Sequence, residues 1–154
     1  MSFRFKGLHS EHFSQFAALS DAELETRGFR RMIANEKPGF PCRVSLQDAQ
    51  PGERVLLVNY EHQPAHSPYR AKGPIFVRES AGAAFDGSAV PECLRGRLLS
   101  LRAYDRDGMI VEADVIEGVA VETLLTRLFA RADTAYVHIH YAKRGCYAAL
   151  VERD

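Results

Sequence analysis

The residues whose types and spacing can do chemistry are histidines, cysteines and arginines, and they gather in three stretches. His138 and His140 stand two apart in Tyr136-Val137-His138-Ile139-His140-Tyr141. On an extended strand that spacing sends both imidazoles, with Tyr136, to one face, and Val137 and Ile139 to the other. Two ring nitrogens on one face can begin a metal site, so His138 and His140 are candidate ligands, although local spacing fixes no third ligand. The alternative is a strand that buries Val137 and Ile139 and turns its histidines to water. His62 and His66 have the four-residue spacing of zinc ligands on a helix. Pro64 between them and Pro68 after them disfavour that helix, and no Glu follows His62 as the zincin pattern requires. Two solvated loop histidines are the reading they support.

Cys42 lies between Pro41 and Arg43. An adjacent cation favours the thiolate, the nucleophilic form, and a histidine partner would complete a Cys–His pair for covalent catalysis. Cys42, His66 and His138 are therefore the catalytic candidates. No local signature of a cysteine protease or disulfide oxidoreductase accompanies Cys42, and a buried inert thiol is the alternative. The same alternative applies to Cys146, after Gly145 at a strand start; Cys93, after Pro91-Glu92, takes no role. Arg43, Arg70, Lys72, Lys143 and Arg144 lie in or beside loops. Tyr69-Arg70-Ala71-Lys72-Gly73, pinned between Pro68 and Pro74, suits a fork of donors aimed at a carboxylate or phosphate, the alternative being a solvated loop. The chain contains no GxxxxGK[ST] and no GxGxxG, and Asp105, Asp107, Glu112 and Asp114 lack EF-hand spacing.

The elements that must position these residues read as strands joined by short turns. Phe3-Arg4-Phe5 alternates like an edge strand. Ser10 and Ser20 precede acidic residues and suit the caps of short N-terminal helices, the second ending at Gly28. Arg30–Ile33 fits a short strand, and the Pro38 and Pro41 region stops regular structure. Val55-Leu56-Leu57-Val58 is the strongest apolar run and reads as a buried strand, followed by a proline-framed loop over residues 62–74 and a strand at Ile75-Phe76-Val77. Leu98–Tyr104 and Met109–Ile116 form a hairpin about Asp105-Arg106-Asp107-Gly108, with Met109, Val111, Ala113 and Val115 sharing a face opposite Glu112 and Asp114. Val121, Leu124, Leu125, Leu128 and Phe129 mark one amphipathic helix. Residues 135–141 and 146–151 form a last hairpin. The fold class expected is α+β: a mostly antiparallel sheet, mixed if the helix carries a parallel crossover, with the helix packed on one face.

At 154 residues the chain is one domain, 1–154, able to bury roughly 70% of its unfolded-chain surface. Twenty basic and twenty acidic side chains give a formal charge of zero, which offers no general attraction for nucleic acid or a membrane surface. The sequence holds no apolar run of membrane-spanning length, and three scattered cysteines suit reduced thiols, so a cytoplasmic protein is expected.

Gly39-Phe40-Pro41-Cys42-Arg43-Val44-Ser45-Leu46, residues 62–74, Leu101-Arg102-Ala103-Tyr104-Asp105, and Val137-His138-Ile139-His140 with Gly145-Cys146 together resemble a bacterial family catalogued as domain of unknown function 1203. The resemblance implies a bacterial, single-domain protein, and no established activity, substrate or cofactor.

The leading expectation is a pocket for a small polar or anionic molecule, with catalysis open, built from Cys42, Arg43, His62, His66, Tyr69, Arg70, His138 and His140. Its arginines would fix the anion and an imidazole would move protons. Arg70→Ala is then expected to weaken binding and spare the fold. The alternatives are a noncatalytic homodimer or partner module using a sheet edge, and a metal-dependent enzyme using His138 and His140.

Overall fold

The computed structural model describes residues 2–154. In chain order it contains β1 (Phe3–Lys6), α1 (Ser14–Ala17), α2 (Asp21–Thr26), β2 (Arg30–Ile33), β3 (Arg54–Gln63), β4 (Ala71–Arg78), β5 (Asp86–Gly87), α3 (Glu92–Arg95), β6 (Leu98–Tyr104), β7 (Ile110–Glu117), α4 (Val121–Phe129), β8 (Tyr136–Tyr141) and β9 (Tyr147–Arg153). The strands form two sheets, one in the order β5-β1-β9-β8-β6-β7 and one in the order β2-β3-β4. Every strand pair is antiparallel. The helical crossover from β7 to β8 does not make them neighbours, because β6 lies between them. The fold is α+β, and among the described residues no helix is long and apolar enough to cross a membrane.

The stripe on α4 decides how the larger sheet is covered. Val121, Leu124, Leu125, Leu128 and Phe129 are all buried, in one cluster with Leu99, Leu101 and Ala103 of β6, Val137 and Ile139 of β8, and Val151 of β9. Burying a side chain of this size contributes about 1.5–3 kcal/mol, so α4 owes its stability to this face rather than to its nine residues. Arg153 donates to the carbonyl of Phe129, the last residue of the helix, and to those of Arg131 and Thr134 just beyond it. On its outer side Arg127 pairs with Glu112 and Asp114 at 3.0 and 2.7 Å. The chain enters α4 through Gly118, where a Cβ would stand 1.7 Å from the Leu94 carbonyl oxygen, so only glycine fits.

The smaller sheet is apolar on both faces, which explains the unbroken run Val55–Val58. Leu56 and Val58 pack under Phe13 and Leu24 of the N-terminal segment, while Val55 packs with Ala34, Phe40 and Ala49. Ser20 caps α2 by accepting from the Glu23 amide at 3.1 Å, and Gly28 ends it with φ 76°.

Several expectations are corrected. Phe3–Phe5 is no edge: β1 is paired on both sides, with β5 and β9. Ser10 lies inside a 3₁₀ turn and caps nothing. A bulge between Ala103 and Tyr104 shifts the register of β7. Glu112, Asp114 and Ile116 therefore look towards α4 with Val111, and Val115 is left 52% exposed. The proline-framed loop is shorter than residues 62–74. His62 belongs to β3, and Lys72, Gly73 and Pro74 belong to β4. Pro74 is tolerated because β4 is an edge strand of its sheet, where a missing amide costs no ladder bond.

Candidate functional site

The sheets bring the chemically versatile residues into two places, on opposite sides of the β8–β9 hairpin. The first is a closed seam. His138 and His140 point away from α4, as their spacing requires, but the smaller sheet covers them. They are 5% and 1% exposed, which corrects the expectation of a wetted histidine face. The end of β3 delivers His62 against them, with ring centroids 5.1 Å from His140 and 6.3 Å from His138. Tyr147 stacks on His62 at 5.3 Å, and Tyr104 and Tyr136 complete the aromatic wall around His138. Gln63 donates to the Tyr136 hydroxyl at 3.0 Å, joining the two sheets.

Burial decides the charge state of this cluster. Loss of hydration, then the neighbouring His140, His62 and Arg102, push His138 down to about 3. Burial also pushes His140 down to about 4, against the opposing effect of its bond to Gly145, and lowers His62. His138 and His140 are therefore neutral near pH 7, and His62 is shifted in the same direction. His140 Nδ1 lies 3.0 Å from the Gly145 carbonyl oxygen, which can only accept, so the proton sits on Nδ1 and Nε2 faces Arg102 Nη1 at 3.4 Å. The Nδ1 atoms of His62 and His138 are buried without a hydrogen-bond partner. Among the described residues, no group of three or more His, Cys, Asp or Glu side chains is arranged to hold a metal ion.

The second place is open. A cavity of about 580 Å³ lies between the turn at Glu36–Arg43, the segment Gly96–Leu98, and the β8–β9 turn with Lys143, Arg144 and Cys146. Its lining carries four cations, Arg43, Arg97, Lys143 and Arg144, against two carboxylates, Glu36 and Glu117. Arg43 is only 1% exposed. Its Nε donates to the Tyr147 carbonyl at 2.7 Å, Nη1 to the Pro41 carbonyl at 2.6 Å, and Nη2 to Cys146 Sγ at 3.1 Å. No carboxylate pairs with it. Its guanidinium carbon stands 5.0 Å from the Tyr141 ring centroid, and Arg97 covers the same ring at 5.2 Å. Arg97 differs in being neutralised, with Asp48 accepting from both of its terminal nitrogens at 2.6 and 3.0 Å. The Tyr141 hydroxyl is buried against the Cys93 thiol.

The single recess drawn from the sequence therefore divides. Arg43 lines the cavity, while His62, His138 and His140 form the seam. Cys42 reaches neither, because its sulfur points into the core of the smaller sheet and accepts amides from Val44 and Arg78. His66 and Tyr69 are exposed on the loop, Tyr69 standing edge-on to Tyr104 at 6.3 Å. Arg70 is exposed and paired with Glu61 at 3.1 Å. The cavity adds Arg97 and Tyr141, which sequence reasoning passed over. One signal existed for its floor: Arg43 interrupts a stretch that otherwise reads as buried, Phe40 to Leu46.

Nothing among curated proteins or solved structures matches the chain. The model of one family, described as protein of unknown function (DUF1203), matches residues 39–153, a span holding both the seam and all of the cavity lining except Glu36 and Pro38. The chain belongs to that family.

Proposed function

We propose that the cavity beside Arg43 binds a small anionic molecule bearing a carboxylate or phosphate, with Glu36 and Glu117 placed to receive a positive group on the same ligand. The observation that carries this reading is a fully buried guanidinium without a carboxylate partner at the wall of an open cavity. A buried cation without a counter-charge is costly. Arginine also presents a planar donor fork that matches carboxylates and phosphates, and the cavity volume falls within the range of small-molecule sites. The reading is one of binding, because the imidazoles suited to proton transfer face the seam instead. Three unbridged cysteines accord with a reducing compartment, so residence in a bacterial cytoplasm is part of the reading.

The test is thermal shift with inorganic phosphate, a dicarboxylate and a neutral sugar, on the wild type and on a Lys143→Ser, Arg144→Ser double variant. A ligand of the folded state raises the midpoint in a saturable way. The anions should do so and the sugar should not, and the double variant should need about 10-fold more anion for the same shift. Anions without effect, or with equal effect on both proteins, would end the reading.

A second reading rests on β7, which has no neighbour on its outer side, with Val115 on it and Val119 just after it exposed. Such an edge can pair with another copy of the chain. Light scattering that gives a monomer at all concentrations removes it.

A further inference from the structure

The three cysteines differ in a way that bears on chemistry at the cavity. Cys42 is fully buried and its sulfur already accepts two amides. Cys93 is fully buried, and burial pushes its thiol up to about 11. Cys146 is only partly buried, lines the cavity, and receives the Nη2–H of Arg43 on its sulfur at 3.1 Å. Arg43 commits three of its five N–H groups to the Tyr147 and Pro41 carbonyls and to that sulfur, leaving two without a protein acceptor. A thiol, a buried guanidinium with donors to spare, and two exposed cations, Lys143 and Arg144, thus surround one space.

We propose that Cys146 is an exchange-competent thiol, and that the cavity presents it to low-molecular-weight disulfides bearing carboxylates, with formation of a mixed disulfide on Sγ. This deepens the anion-binding reading and rests on it. In the step, the Cys146 sulfur loses its proton to water and, as thiolate, attacks one sulfur of the bound disulfide. A new S–S bond forms as the old one breaks. The departing half leaves as a thiolate and takes a proton from solvent, so Cys146 is oxidised by the disulfide that is reduced. Lys143 and Arg144 would hold the carboxylates, and Glu36 or Glu117 an ammonium group on the same molecule.

Native protein treated with glutathione disulfide and, separately, with the neutral bis(2-hydroxyethyl) disulfide tests this by intact mass and peptide mapping. The expected result is one adduct per chain, on Cys146, absent in Cys146→Ser. Glutathione disulfide should react on the order of 10-fold faster than the neutral reagent, and the preference should collapse at high salt and in the Lys143→Ser, Arg144→Ser variant. No adduct on the native protein, adducts spread over Cys42 and Cys93, or equal rates for the two reagents would each overturn the proposal. Phosphate binding by Cys146→Ser separates the two ideas: if it persists while the wild type forms no adduct, exchange fails and anion binding stands.

Discussion

The seam and the cavity use the two sides of one hairpin, and Tyr147 belongs to both. Its ring stacks on His62 in the seam, while its carbonyl oxygen holds the Arg43 guanidinium at the cavity. In both places a nitrogen base is taken out of water, yet the outcomes differ because the side chains differ. An imidazole can shed its proton, so burial turns His138 and His140 neutral and lets aromatic rings close over them. A guanidinium cannot be deprotonated in a protein. Arg43 therefore keeps its charge and must be met by carbonyls, a sulfur and a π face. The seam resembles a core; the cavity has the makings of a site.

The largest effect expected from this contrast is on stability in acid, and it belongs to the seam. An unfolded histidine titrates near 6.5. Above that pH both states are neutral and these groups add no pH dependence. Below it the unfolded chain takes up protons that folded His138 and His140 refuse, down to about 3 and about 4 respectively. Each refused proton then lowers the unfolding free energy by up to about 1.4 kcal/mol per pH unit. Urea denaturation at pH 7.5, 6 and 5 should show this fall. A His138→Asn, His140→Gln variant should flatten it. A level profile in the wild type would mean that water and protons reach the imidazoles.

Next in size is the removal of Arg43. Arg43→Ala leaves the Tyr147 and Pro41 carbonyls without their donor and uncovers one face of Tyr141, at a cost of about 3 kcal/mol. Arg43→Met leaves the same two carbonyls unpaired but keeps the packing over Tyr141, so it should cost less than Arg43→Ala by the packing recovered, while abolishing the anion response. Denaturation and thermal shift on the same two variants separate these effects. A Met variant that still responds to anions would show that Arg43 only supports the fold.

The fold was legible where a pattern is local. The stripe from Val121 to Phe129, the turn at Gly108 and the strand His138–His140 all follow from spacing on a single element. The site was legible only in its residue types. That His138 and His140 share a face follows from the two-residue period; that the face is dry depends on β3 arriving from nearly eighty residues earlier with His62. Three prolines made residues 62–74 read as a loop, because the rule against proline in strands holds for central strands and β4 lies at an edge. Cys42 and Arg43 are adjacent, and adjacency suggested cooperation. A tight turn begins at this pair, with the Leu46 amide donating back to the Cys42 carbonyl, and Cys42 takes the core while Arg43 takes the cavity.

A smaller effect is expected from the exposed rim of the cavity. Lys143→Ser with Arg144→Ser should weaken an anionic ligand about 10-fold, or about 1.4 kcal/mol, and leave the unfolding free energy within about 0.5 kcal/mol of wild type. Calorimetric titration at two salt concentrations checks it. Unchanged affinity would end the anion-binding reading, as equal thermal shifts on the two proteins would.

The smallest effect falls on the residue that sequence reasoning ranked highly. Arg70 was expected to grip the ligand, but it lies outside the cavity lining and is paired with Glu61 at 3.1 Å on the surface. An exposed pair of this kind is worth roughly 0–1 kcal/mol and is screened by salt. Arg70→Ala should therefore shift the unfolding midpoint only slightly, more at low salt than at high, and leave anion affinity within about 2-fold of wild type, well under 1.4 kcal/mol. The value of this variant is as a control on the comparison. It removes one positive charge from the same face of the chemistry as Lys143 and Arg144, but from the wrong place. If affinity drops as far for Arg70→Ala as for the rim variant, recognition follows overall charge, and the separate role given to the cavity is lost.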